Sequence, residues 1–153
     1  MKEFDYDLDY KSLDFTNPET RKLYRIGRGE QGVLLVRPYT EEICKHWRFK
    51  NVPTATQSSH KIYEMFCNYR RQKDFIGMDM ARKFLEMGFT RARRYANHKT
   101  GRKYSVSKEI LPQENDALTS EKAQAAQIFK KVRDLAAYDP KYQEMRKQWR
   151  KSE

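Results

Sequence analysis

Met78-Asp79-Met80-Ala81-Arg82-Lys83-Phe84-Leu85-Glu86-Met87-Gly88 carries its large apolar side chains at positions 80, 84 and 87, with Ala81 and Leu85 alongside. Spacings of three and four residues put these side chains on one face of an α-helix. Gly88 predicts a left-handed stop for that helix, and Thr90 a cap for a short one after it.

Helical patterns continue on both sides. Ser120-Glu121 opens a helix with Ala125, Ile128, Phe129, Val132 and Leu135 on one face. Asp139-Pro140 ends it and starts another, with Tyr142, Met145 and Trp149 inward. Upstream, Pro53 to Ser58 reads as a linker, and Ser58 or Ser59 caps a helix bearing Ile62, Met65, Phe66 and Tyr69. Thr40 caps a helix through Trp47, and Asn17-Pro18-Glu19 forms a cap and first turn. Val106 to Gln113 has no readable pattern.

Two stretches point the other way. Phe4, Tyr6, Leu8 and Tyr10 alternate with Asp5, Asp7 and Asp9, the period of a strand with rings on one face and carboxylates on the other. Val33-Leu34-Leu35-Val36 reads as a short apolar strand ending before Pro38. The expected fold is therefore α+β and predominantly helical, with about five to six helices and a small two- or three-stranded N-terminal β element. Residues 1–153 are expected to form a single domain, with 1–16 as an acidic-aromatic strand segment and 17–150 as a mainly helical body.

Hydrophobic residues make up 38% of the chain and charged residues 35%, and the mean hydropathy is −1.04. Such a composition builds a modest core under a polar exterior. No stretch approaches the ~20 apolar residues of a membrane span, so no membrane partner is expected. Met1-Lys2-Glu3-Phe4-Asp5 lacks the basic flank and apolar run of a secretory signal. Cys44 and Cys67 read as free thiols in a reducing compartment, and a cytoplasmic location follows as an expectation.

Thirty-two basic against 21 acidic residues give a net charge of +11. The excess is uneven: residues 1–20 hold six acidic and two basic side chains, while 81–110 hold nine basic and two acidic. Between Glu86 and Glu109 there is no acidic residue. DNA or RNA is the expected partner of such a stretch, with an acidic protein as the rival and a merely solvated surface as the bland alternative.

Phe89 to Lys99 can be placed on a helix running into a loop. Phe89, Ala92 and Ala96 share a face that can dock on the core, while Arg91, Arg94, Tyr95 and His98 share another. Forked guanidinium donors match phosphate oxygens, and a ring can stack on an unpaired base. The candidate nucleic-acid-binding residues are Arg91, Arg93, Arg94, Tyr95, His98, Lys99, Arg102 and Lys103. The competing arrangement has these arginines bonded to helix carboxyl ends and to the acidic residues 5–9. A helix-turn-helix is disfavoured, because the second helix would be too short.

Gly27-Arg28-Gly29-Glu30-Gln31-Gly32 matches G-x-G-x-x-G but precedes an expected strand rather than opening a helix, so a tight connection is preferred over a phosphate cradle. His60 and Cys67 lie too far apart on one helix to share zinc, and Asp5, Asp7 and Asp9 lack the turn glycine of a calcium loop. No metal, cofactor or catalytic residue is assigned.

At Tyr24-Arg25-Ile26-Gly27-Arg28-Gly29-Glu30-Gln31-Gly32-Val33-Leu34, Trp47-Arg48-Phe49-Lys50 and Gly77 through Lys99, the chain resembles an uncharacterised domain-of-unknown-function family. Its members are short basic proteins of bacteria, fungi and large tailed phages such as those of cyanobacteria. The resemblance implies no assigned activity and carries over no site residues; it makes a bacterial or phage origin plausible, with the host cytoplasm as the location in the phage case. Functionally, the first expectation is a non-catalytic nucleic-acid-binding accessory protein. The second is a protein-interaction module, acting on a host machine in the phage case, with the acidic strand 4–10 as a candidate edge together with the basic surface; the third is a small phosphate-ligand enzyme or nucleotide binder using the glycine loop with His98. DNA against RNA and the oligomeric state stay open.

Overall fold

The computed structural model describes residues 2–153. Its elements are a 3-10 turn at Tyr10–Ser12 followed by α1 (Pro18–Arg21), α2 (Tyr39–Cys44), α3 (Val52–Arg71), α4 (Phe75–Asn97), α5 (Glu121–Ala137) and α6 (Pro140–Ser152). Tyr104 and Ile110 form an isolated antiparallel bridge, and no sheet is present among the described residues.

The helix starts follow local chemistry. Side chains of Asn17, Asn51, Asp74, Ser120 and Asp139 accept from backbone N–H groups of α1, α3, α4, α5 and α6 respectively, satisfying donors that a first turn leaves unpaired. Pro18, Pro53 and Pro140 sit in first turns, where a missing N–H costs nothing. The expected linker at 53–58 is therefore helix, and α3 begins at Val52 rather than after Ser58 or Ser59. Helix α2 likewise starts at Tyr39, and the Thr40 hydroxyl donates to the Val33 carbonyl instead of capping.

Helix α4 is the axis of the fold, with α3 and α5 packed along it. It runs unbroken through Gly88, which is no stop. A Cβ at Gly88 would overlap the Phe129 ring of α5, and one at Gly77 would overlap the Tyr69 ring of α3. Both glycines are close-approach points, so the two-helix reading of this segment is corrected. Phe66, Phe84, Phe129, Ile62 and Ile76 are fully buried, each contributing about 1.5–3 kcal/mol of transfer free energy. On α5 the inward stripe is Ala125, Ala126, Phe129, Val132 and Ala136; Leu135 is 57% exposed and lies outside it.

The expected N-terminal β element is absent, so the fold is all-helical rather than α+β. Phe4 and Tyr10 are buried, and their rings stack at 5.5 Å; Tyr10 stacks in turn on Phe15 at 5.9 Å. Tyr6 is exposed, so the alternating rings do not share one face. Residues 33–36 form successive turns, with the Val33 N–H bonded to Glu30 and the Leu35 N–H to Gly32. Neither segment finds a strand partner, and an unpaired strand has no ladder to stabilise it.

A buried ionic cluster ties these irregular segments to α4. The Asp79 carboxylate, fully buried, accepts from the Tyr24 and Tyr142 hydroxyls and pairs with Arg82 at 2.8 Å; the Lys83 Nζ lies 3.7 Å away. Lys83 also donates to the Gln31 carbonyl at 2.6 Å and sits over the Phe4 and Tyr24 rings. Arg82 donates to the Gly29 carbonyl and Arg150 to the Gly27 carbonyl, both at 2.8 Å. Burial would raise the Asp79 carboxyl, but Arg82 and Lys83 outweigh it and hold it well below the usual range. Burial pushes the Lys83 ammonium down to about 8, against the pull of Asp79.

Candidate nucleic-acid interface

The last two turns of α4 and the loop after them carry the acid-free stretch. Ala92 and Ala96 are buried and Phe89 packs on the core, so the inner face is the one read from the pattern. Arg91, Arg94 and Tyr95 emerge on the outer face, all exposed. Helix α4 ends where the His98 N–H bonds to the Arg94 carbonyl, and the chain turns through Gly101, whose N–H bonds to the His98 carbonyl at 2.7 Å. That turn brings Lys99, Arg102 and Lys103 to the surface next to the helix end.

No ion pair among the described residues involves Arg91, Arg93, Arg94, Lys99, Arg102 or Lys103. The acidic residues 5–9 do not neutralise them. Asp5 instead accepts from the Asp7 N–H, Asp9 from the Ser12 hydroxyl, and nearby Glu3 pairs with Arg28. Part of the positive charge has a local structural reason: the carbonyl end of a helix carries partial negative charge and favours cations in its last turn.

Two candidate residues turn inward. Arg93 lies on the opposite flank, where its Nε donates to Asn97 Oδ1 at 3.2 Å and its Nη2 to the Ala117 carbonyl; it fixes the 114–117 segment to α4. His98 is only 7% exposed, and its Nδ1 is buried with no hydrogen-bond partner. The Glu114 carboxylate accepts the Lys99 N–H at 3.0 Å, and the Glu114 N–H donates to the Asn97 carbonyl. Glu114 thus places a carboxylate against the start of the turn.

Tyr95 is part of a ring cluster that one-dimensional reading missed. Its ring lies 6.1 Å from Phe49, and the Lys122 Nζ sits over both rings at 5.7 and 5.4 Å. Burial lowers the Lys122 pKa; Glu121 opposes that shift and Lys50 adds to it. Gly101 closes the other side, since a Cβ there would lie 2.7 Å from the Tyr95 Cε1. Lys50 and Lys122 therefore extend the positive surface across to the start of α3 and α5. The sequence signal for Lys50 is Trp47-Arg48-Phe49-Lys50, rings interleaved with cations, and Lys122 has none.

The other motifs resolve as structure. The glycine loop has its carbonyls bound by cations, while Phe4 fills the space beside Gly32 and Gln31 that beside Gly27. Cys44 and Cys67 are free and half-buried. Among the described residues no three His, Cys, Asp or Glu side chains cluster to hold a metal ion, and no helix is long and apolar enough to cross a membrane.

Fold and surface together define an all-helical protein with a concentrated, unpaired positive face at the end of its central helix. The chain belongs to a family described as a domain of unknown function (DUF4385), whose model matches residues 5–152. No curated protein and no solved structure matches it.

Proposed function

We propose that this chain is a single-domain, non-catalytic nucleic-acid-binding accessory protein. Arg91, Arg94, Lys99, Arg102 and Lys103 contact phosphates, and Tyr95 and His98 serve the bases. The observation that carries this reading is the absence of any carboxylate paired with these five exposed cations, although eleven other basic side chains of the fold hold one. A surface left unpaired in this way attracts a polyanion by counterion release. Arg93 leaves the contacting set and becomes a brace for the segment behind it. The protein works in the cytoplasm, the host's where a phage encodes it. For the interaction-module reading, residues 4–10 offer no strand edge, and the basic surface is what is left to it.

Fluorescence anisotropy against labelled single-stranded and duplex oligonucleotides at two salt concentrations tests the reading. Binding that weakens steeply with salt is the expected result, and no binding to either oligonucleotide at low salt removes the proposal.

A further inference from the structure

A cleft of about 290 Å³ opens beside the last two turns of α4, lined by Phe89, Arg94, Asn97, His98, Lys103 and Gln113 among others. Its walls are the helix end and the segment that the Glu114–Asn97 and Arg93–Ala117 bonds hold against it. A buried polar atom without a partner costs about 1–3 kcal/mol, so the bare Nδ1 of His98 is a cost that a ligand can remove.

The polar side chains that line the cleft with His98 carry the chemistry of base edges. The Asn97 carboxamide accepts from Arg93 through Oδ1 and keeps its NH₂ free to donate, and the Gln113 side chain makes no hydrogen bond. Arg94 and Lys103 stand at the same cleft and form no ion pair. The cleft lies beside the last two turns of α4, whose carbonyl end disfavours negative charge. A neutral ring with donors and acceptors fits, with its phosphate left outside on the cations.

We infer that this cleft receives one unpaired nucleobase, read by His98 Nδ1, Asn97 and Gln113, while Arg94 and Lys103 hold the adjoining phosphates. The inference rests on the nucleic-acid reading and deepens it: the preferred polymer is single-stranded, since a base inside a duplex cannot enter the cleft.

The test compares the wild type, His98→Ala and Gln113→Ala, with a short single strand, the matching duplex and a free mononucleotide as ligands. Thermal melting and circular dichroism check that each variant is folded. Gln113 lies exposed on the loop, which keeps the test available if His98→Ala does not fold. Expected are tighter binding of the single strand than of the duplex, by about tenfold, and a loss of about tenfold on the single strand in each variant with duplex affinity unchanged. Equal binding of single strand and duplex, with both folded variants like the wild type, overturns the base pocket and leaves the phosphate surface standing. Binding of the mononucleotide but of neither polymer keeps the pocket and overturns the polymer reading. Binding of none of the three overturns both.

Discussion

The Phe129 ring of α5 rests directly on the backbone of Gly88, in the middle of α4, where even a methyl group would overlap it. The seams of α4 with both of its long neighbours depend on such bare spots, at Gly88 for α5 and at Gly77 for α3. In an exposed helix a change of glycine to alanine stabilises, by roughly 0.5–1 kcal/mol. At Gly88 the sign reverses. Gly88→Ala is expected to lower stability by about 1–3 kcal/mol, the usual cost of overpacking, as read by urea denaturation. A variant as stable as the wild type would mean that α5 does not approach α4 so closely.

Asp79 supplies the second prediction. It is the carboxylate around which Tyr24, Tyr142, Arg82 and Lys83 are gathered out of water. Asp79→Ala leaves two buried cations without it, and about 3–5 kcal/mol of stability is expected to go. Because the folded state holds this carboxyl below its unfolded pKa, its contribution is full above about pH 4 and is lost as pH falls further. The difference in stability between wild type and Asp79→Asn should therefore shrink on acidification below that point. A difference that stays constant with pH would contradict the linkage.

Lys83 predicts an alkaline counterpart. Its folded pKa, about 8, lies below that of an exposed lysine, so between about pH 8 and 10 the unfolded chain binds the extra proton and stability rises with pH. Above about pH 10 the trend turns. Burial raises Tyr10 to about 12 and pushes Tyr24 up as well, and the unfolded tyrosines then lose protons that the folded ones keep. Chemical denaturation across this range should show a rise and then a fall in the wild type. In Lys83→Met the rise should be missing, and parallel profiles would refute the assignment.

The helical part of this fold is legible in the sequence because its signals are local. Asn17, Ser120 and Asp139 announce helix starts by side-chain chemistry alone, and the faces of α4 follow from spacing. Gly88 misleads because the same residue serves a helix stop or a close helix contact, and only the ring 41 positions later decides which. The alternation from Phe4 to Tyr10 misleads for a related reason: a strand needs a partner, and residues 33–36 spend their N–H groups on turns. Asp79, Arg82 and Lys83 are readable as an ion-pair spacing on a helix, yet their burial depends on Tyr24, 55 positions away from Asp79, and on Tyr142, 63 away. On the candidate interface, exposure of Arg91, Arg94 and Tyr95 could be anticipated from helix phase. The inward turn of Arg93 toward Ala117, and of His98 into a cleft, could not.

The proposed contact with phosphate lies at the end of α4 and in the turn that follows it. The most direct measurement is the salt dependence of duplex binding by the wild type and by a folded variant combining Arg91→Gln, Arg94→Gln and Lys99→Gln. These side chains are exposed and bear no internal bonds that the fold requires, so stability should be unchanged. The expected slope of log affinity against log salt is shallower in the variant by about 0.9 for each phosphate contact removed. An identical slope and affinity in the two proteins would contradict it.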